Sequence, residues 1–168
     1  MATNAEWSRG YARQADADFK AFLAFARIAS FTVSHKLQFL QMACEKLVKS
    51  HLCIEGTQPT SLQTSHAFIA GTLPVVLLQT ARRLNCTGHL AKWVLRHSRH
   101  LAQEIELLAP AVKRGGNRPD NCEYPWEDQS GTLRVPLDWS FLPLQLLNAP
   151  AGHTFLKLIR VAIDSLLS

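Results

Sequence analysis

The 168-residue sequence lacks any long uninterrupted run of apolar residues. Its longest apolar stretches, such as Leu73–Leu78, are far shorter than the roughly 20 residues with which a helix crosses a bilayer. The first seven residues, Met-Ala-Thr-Asn-Ala-Glu-Trp, do not show the basic start and apolar stretch of a secretory signal. We therefore expect no membrane association and a cytoplasmic location.

Cysteines with the spacing of a metal site are also missing. The chain has four cysteines: Cys44, Cys53, Cys86 and Cys122. They form no CxxC pair, so in a cytosolic protein we expect them to be reduced and mostly buried. Cys86 with His89, and His97 with His100, could in principle supply four zinc ligands, but the sequence suggests no supporting carboxylate nearby. No HExxH or paired-carboxylate pattern occurs, and we expect neither a metal nor a cofactor.

Charged residues make up only 18% of the chain, whereas hydrophobic residues make up 47%. This balance is enough for one core, so we expect a single domain over residues 1–168. Strand signals and internal repeats are nearly absent. Because apolar residues recur mainly at helical spacing, the sequence predicts an all-α bundle.

The periodicity and the breaks between the periodic segments place the helices. The predicted segments are about Glu6–Arg27, Ser34–Cys53, Leu62–Ile69, Pro74–Arg83, His89–Leu108 and Ala151–Leu167. Ser34 is a plausible N-cap of the second helix, and turns are expected at 55–59 and 85–88. Polar residues of the second helix are expected near the edges of its apolar face: Lys36, Glu45, Lys46 and Lys49.

Residues 111–138 are rich in Gly, Pro and Asn and show no helical period. A long irregular loop of this kind is usually functional or mobile. A short helical or irregular piece is expected at Trp139–Leu147. The aromatic residues Tyr124, Trp126 and Trp139 are too apolar to be left in water. We expect this segment to pack back over the bundle or to meet a partner subunit.

The net charge of +5 is unevenly distributed. Eight Lys and Arg residues fall between Arg82 and Arg118, and only two acidic residues oppose them, at 104 and 106. The fifth predicted helix carries a candidate set for phosphate or nucleic-acid binding: Lys92, Arg96, Arg99 and His100. Such a stripe beside Trp93 favours a phosphate-bearing partner. The alternative is a solvated face with Trp93 in the core.

Several segments resemble the HEPN family, in the order in which that family carries them. The second helix reads Gln-Met-Ala-Cys-Glu-Lys-Leu-Val-Lys over 41–49, Gly56 and Pro59 follow, and His66 opens the next element. Residues 122–126, Cys-Glu-Tyr-Pro-Trp, are similar to the segment that precedes the last helix in many members. The resemblance implies an antiparallel bundle of about four to five main helices. It also implies frequent dimerisation, and roles in RNA metabolism, toxin–antitoxin pairs and defence.

The resemblance further suggests a catalytic site, because active HEPN members are metal-independent ribonucleases that use an Arg and a later His separated by four to six residues. Arg82 or Arg83 with His89 has this spacing. In active members, however, the motif lies just before the last long helix. The expected function is therefore action on RNA or a nucleotide ligand, and ribonuclease activity is one form that this action could take. The alternative is a non-enzymatic interaction module that pairs with a partner protein such as a nucleotidyltransferase.

The polar residues of the second helix allow two interpretations. Glu45, Lys46 and Lys49 could form a binding set, or they could be exposed positions with ordinary helical charge pairing. Three histidines could be catalytic, or they could be capping or core-edge histidines: His35, His51 and His66. The sequence favours the structural interpretation for all of these residues.

Overall fold

Seven α-helices and one two-stranded sheet make up the described part of the computed structural model, residues 2–110 and 120–168. In chain order the elements are α1 (Asn4–Ala26), α2 (Val33–Ile54), α3 (Pro59–Gln63), α4 (Ile69–Arg83), α5 (Gly88–Glu106), β1 (Trp126–Glu127), β2 (Leu133–Arg134), α6 (Leu142–Leu147) and α7 (Pro150–Leu167). A 3-10 turn at Pro136–Asp138 precedes α6. The predicted all-α bundle of four to five main helices is confirmed. None of the described helices combines the length and apolar character that a bilayer crossing requires.

Helices α1 and α2 form an antiparallel hairpin. Ser8, near the start of α1, lies 3.0 Å from Ser50, near the end of α2, when measured between the hydroxyl oxygens. At the opposite end, the rings of Phe25 and Phe39 lie 5.1 Å apart. Helix α1 begins with a capping box, in which Thr3 and the residue three positions later satisfy each other's free backbone donors. The two helices of the hairpin therefore run in opposite directions, with Ser8 and Ser50 in contact at one end and Phe25 and Phe39 in contact at the other.

Helices α4 and α5 form a second hairpin. Asn85 ends α4 in the left-handed conformation with φ of 62°, and the amide of Cys86 donates to the carbonyl of Ala81 at 2.9 Å. This is the arrangement of a Schellman motif, so the predicted break at 85–88 is confirmed. Glu106, at the end of α5, accepts a hydrogen bond from the amide of Ala70 at 2.9 Å. A side chain from a neighbouring helix thus caps the start of α4.

The core lies between the two hairpins and α7. Its fully buried side chains come from all five long helices: Phe19, Leu37, Leu40, Leu47, Ile69, Leu73, Leu77, Ile105 and Phe155. Arg160 of α7 donates to Asp16 of α1 at 2.7 Å, and its guanidinium lies over the ring of Phe19. Helix α7 therefore closes the bundle against α1.

Three details of the predicted helices were wrong. Thr32 caps α2 instead of Ser34, because its hydroxyl accepts from the amide of His35. The short third helix begins at Pro59 and ends at Gln63, since the ring of Pro59 suits a first helical turn. Pro74 lies inside α4, which already begins at Ile69. Tertiary packing overrides the local preference of proline for the start of a helix.

The segment that was predicted as a loop near 111–138 lies partly outside the described residues, which resume at 120. Beyond that point it contains the β1–β2 hairpin and the 3-10 turn. Trp126 and Phe141 are buried, and the rings of Trp126 and Trp139 meet edge to face at 5.4 Å. The aromatic segment thus packs back over the bundle, whereas Tyr124 remains 61% exposed.

Candidate functional site

Helix α5 presents the predicted cations on one exposed face. Lys92, Arg96, Arg99 and His100 are all exposed, whereas Ala91, Val94, Leu101 and Ile105 on the opposite side are buried. Among the described residues, no carboxylate forms an ion pair with Lys92, Arg96 or Arg99. Their charges are therefore available to a phosphate-bearing partner.

Beside this face lies a shallow depression of about 530 Å³ that His89, Lys92, Trp93 and Arg96 help to line. Trp93 is half-buried and packs against the core. His97 fixes it further, because the two rings lie 4.5 Å apart and His97 Nδ1 lies 2.9 Å from the Trp93 carbonyl oxygen. The indole thus forms a wall of the depression and belongs to the fold.

The structure distributes the predicted catalytic residues around the α4–α5 junction. Arg82 lines a second depression of about 560 Å³, whereas His89 lines the one described above, and Lys92 borders both. Arg83 lies near His51 at the end of α2. There, burial lowers the pKa of His51, Glu55 opposes this effect and the charge of Arg83 adds to it. The two arginines therefore lie in different surroundings. Arg82 lines a depression together with residues of α5, whereas Arg83 lies near the end of α2.

A buried polar network runs along α2 and reaches the connection between α3 and α4. Glu45 of α2 is 7% exposed and Lys49, one turn further along, is 4% exposed. Lys49 Nζ donates to Glu45 Oε1 at 2.6 Å, and Gln41 Nε2 donates to Oε2 at 3.1 Å. His66, from the connection between α3 and α4, places Nδ1 3.1 Å from the same Oε2. The carboxylate of Glu45 thus contacts an ammonium, an amide and an imidazole.

The network keeps Glu45 ionised. Burial by itself would raise the pKa of Glu45, but hydrogen bonds from Lys49, His66 and Gln41 outweigh burial and hold the pKa below its usual value. An ionised carboxylate only accepts hydrogen bonds, so the Nδ1 of His66 carries a proton. In the neutral imidazole, the lone pair then lies on Nε2, which has no hydrogen-bond partner among the described residues.

A second ion pair supports the network from α1. Asp18 is 4% exposed and accepts from Gln14 Nε2 at 3.1 Å. Lys46 Nζ lies 2.9 Å from Asp18 Oδ2 but outside hydrogen-bonding geometry, so this contact is electrostatic. The side chain of Lys46 keeps 22% exposure. The side chain of Lys46 is therefore held in place by Asp18 of α1, while part of it remains exposed to solvent.

A cavity of about 410 Å³ opens onto this network. Its lining residues come from α2, from the α3–α4 connection and from the chain after α5: Gln41, Glu45, Lys46, His66, Ala109, Pro110, Glu123 and Tyr124. The buried side chain of Asn121 accepts from the amides of Glu123 and Tyr124 at 2.9 and 2.8 Å. The amide of Cys122 donates to the carbonyl of Leu108, which ties this rim to the end of α5.

The burial of Glu45 and Lys49 corrects the prediction that both lie near the polar edges of α2. They form the expected i,i+4 pair, but inside the protein, because α1 and the His66 segment cover this side of α2. The available signal was the i, i+4, i+8 series Gln41, Glu45 and Lys49 within a segment rich in Ala, Cys, Leu and Val. The partner, His66, has no marker in the sequence.

No three His, Cys, Asp or Glu side chains of the described residues lie close enough together to hold a metal ion. Comparison of the chain with protein-family models, with curated proteins and with solved structures gave no match. The two candidate sites are therefore the exposed basic face of α5 and the cavity beside Glu45 and His66.

Proposed function

We propose that this protein binds RNA, and that the exposed face of α5 holds the phosphates. The observation that carries the proposal is the row formed by Lys92, Arg96 and Arg99. All three are exposed, and none forms an ion pair with an acidic side chain of the described residues. The resemblance to HEPN domains, which implies work on RNA in toxin–antitoxin or defence systems, points in the same direction.

The geometry suits a polymer better than one small anion. The three cations follow one another along α5 at spacings of four and three residues, which correspond to about 6 and 4.5 Å along a helix axis. Successive phosphates of a nucleic-acid strand lie at comparable distances, so one strand could run along the helix. Neutralising each phosphate releases bound counterions, and this release supplies most of the affinity of such a surface.

The salt dependence of RNA binding tests the proposal. The affinity of the protein for a fluorescein-labelled single-stranded RNA should fall as salt rises. Each phosphate contact contributes about 0.7 to the slope of log K against log salt. The triple variant K92A/R96A/R99A should therefore reduce the slope by about 2, as measured by fluorescence anisotropy.

A matched control removes the same number of cations elsewhere. Arg9 and Arg13 on α1 and Lys157 on α7 are exposed, and R9A/R13A/K157A should leave the slope nearly unchanged. If both triple variants lower the slope equally, binding depends on overall charge and the α5 site is wrong. If the unmodified protein binds no RNA, the interaction-module alternative replaces the proposal.

A further inference from the structure

His66 and Glu45 have the geometry of an oriented acid–base pair. The Glu45 carboxylate accepts from Nδ1 of His66 at 3.1 Å, so in the neutral imidazole the lone pair lies on Nε2, which has no hydrogen-bond partner in the described part of the chain. The imidazole lines the 410 Å³ cavity and its side chain is 43% exposed, whereas the carboxylate that orients it is only 10% exposed. A carboxylate behind a histidine fixes the tautomer and orientation that proton transfer requires.

We propose that this cavity is a catalytic site in which His66 removes the proton from a ribose 2′-hydroxyl of bound RNA. The proposal rests on the RNA binding proposed above and assigns the chemistry to a surface other than the α4–α5 junction. His66 is the catalytic residue, and Glu45 is a positioning residue that acts through it.

Two other residues that line the cavity are suited to the phosphate and the base of one nucleotide. Lys46, held by Asp18 and partly open to the cavity, can stabilise the charge that develops on the phosphate. Tyr124 also lines the cavity and is exposed, so its ring can stack on a base. The volume of the cavity lies within the range of about 300–1,000 Å³ that is typical of small-ligand sites.

The proposed step is an internal transesterification. His66 Nε2 takes the 2′-hydroxyl proton as the 2′-oxygen forms a bond to phosphorus. The bond from phosphorus to the 5′-oxygen of the next nucleotide breaks, and that oxygen takes a proton from water. The products are a 2′,3′-cyclic phosphate and a 5′-hydroxyl, and His66 returns its proton to solvent. No oxidant, reductant or further reactant is needed.

The test compares RNA cleavage by the unmodified protein, H66A and H153A, all purified in the same way. His153 is exposed on α7 and is not one of the residues that line the cavity, so H153A should cleave normally. H66A should lose about two to four orders of magnitude in rate, the usual contribution of general acid–base catalysis. Added imidazole should restore cleavage by H66A, because the truncation leaves an open space of matching size. A substrate with a single 2′-deoxynucleotide at the cleaved position should resist cleavage.

The positioning role of Glu45 needs a variant that does not leave a buried charge without a partner. E45Q alone would strand the ammonium of Lys49, so E45Q/K49M, which removes both charges, is the informative variant. It should lower kcat by more than tenfold and change KM little, because the imidazole remains in place without its orienting charge.

Several outcomes overturn the proposal. One is unmodified protein that binds RNA but does not cleave it, which leaves the binding function intact. Another is H66A with full activity, including the case in which cleavage depends on His89 instead. Loss of cleavage in H66A without rescue by imidazole assigns His66 a structural role. Rescue of H66A together with undiminished RNA binding supports the proposal.

Discussion

Glu45 and Lys49 lie one turn apart on α2, and the same spacing joins Asp16 to Lys20 on α1. The two ion pairs have almost the same length, 2.6 and 2.7 Å, but different surroundings. Lys49 is 5% exposed and Lys20 is 69% exposed in their side chains. An exposed pair contributes little because water and salt screen it, whereas a buried pair becomes costly when one partner is lost.

Replacing the two lysines separately should reveal this difference. K49M should lower the free energy of unfolding by about 3–5 kcal/mol, since it leaves a buried carboxylate without its ammonium. K20M should change it by less than about 0.5 kcal/mol. Urea denaturation followed by circular dichroism measures both values. Equal effects would show that Gln41 and His66 satisfy Glu45 without Lys49.

At the scale of elements, Gly152 fixes how α6 meets α7. A Cβ atom at this position would lie 2.4 Å from the carbonyl oxygen of Leu146, and equally close to two backbone atoms of Leu147. Backbone cannot move away as the end of a flexible side chain can. Gly10 in α1 is the opposite case, because a Cβ there would meet nothing within 4 Å.

The two glycines should respond to alanine with opposite signs. G152A should lower the stability by about 3 kcal/mol or more, at the upper end of the usual cost of overpacking, because the short helix α6 must shift. G10A should raise the stability by about 0.5–1 kcal/mol, since alanine loses less conformational freedom in a helix interior. Thermal unfolding monitored by calorimetry would distinguish them. A tolerated G152A would mean that α6 is not held firmly against α7.

At the scale of the whole molecule, the segment that contains Tyr124, Trp126 and Trp139 has apolar residues both in the core and on the surface. Trp126 and Phe141 are buried in their own chain, whereas Leu133 and Leu137 are 71% and 63% exposed. The homodimer expected from the sequence stays a prediction, and these two exposed leucines of the segment are available for it.

Sedimentation equilibrium at tens of micromolar, a range in which specific interfaces are normally occupied, tests this expectation. The unmodified protein should sediment as a dimer, and L133S/L137S as a monomer, because apolar area is lost from the interface. I54S, at the exposed end of α2, should remain dimeric. A monomeric unmodified protein would remove the basis for a dimer.

The sequence by itself determined where the five long helices lie and most of their ends, because these depend on neighbours along the chain. Apolar periodicity located all five long helices, and Gly56, with φ of 91°, ends α2 as predicted. The exposed face of α5 followed from spacing in the same way. In each case the deciding interactions span four residues or fewer, which a sequence pattern records directly.

The tertiary structure alone decided which polar residues are buried and what they meet. Glu45 and His66 come from different elements, and only the packing of α1 and α2 with the His66 segment brings them to 3.1 Å in a cavity. The cap that Glu106 provides for α4 and the position of Pro74 inside that helix are likewise set by neighbouring elements. Such contacts depend on distance in space and on the exclusion of water, and neither is encoded in the spacing of residues along the chain.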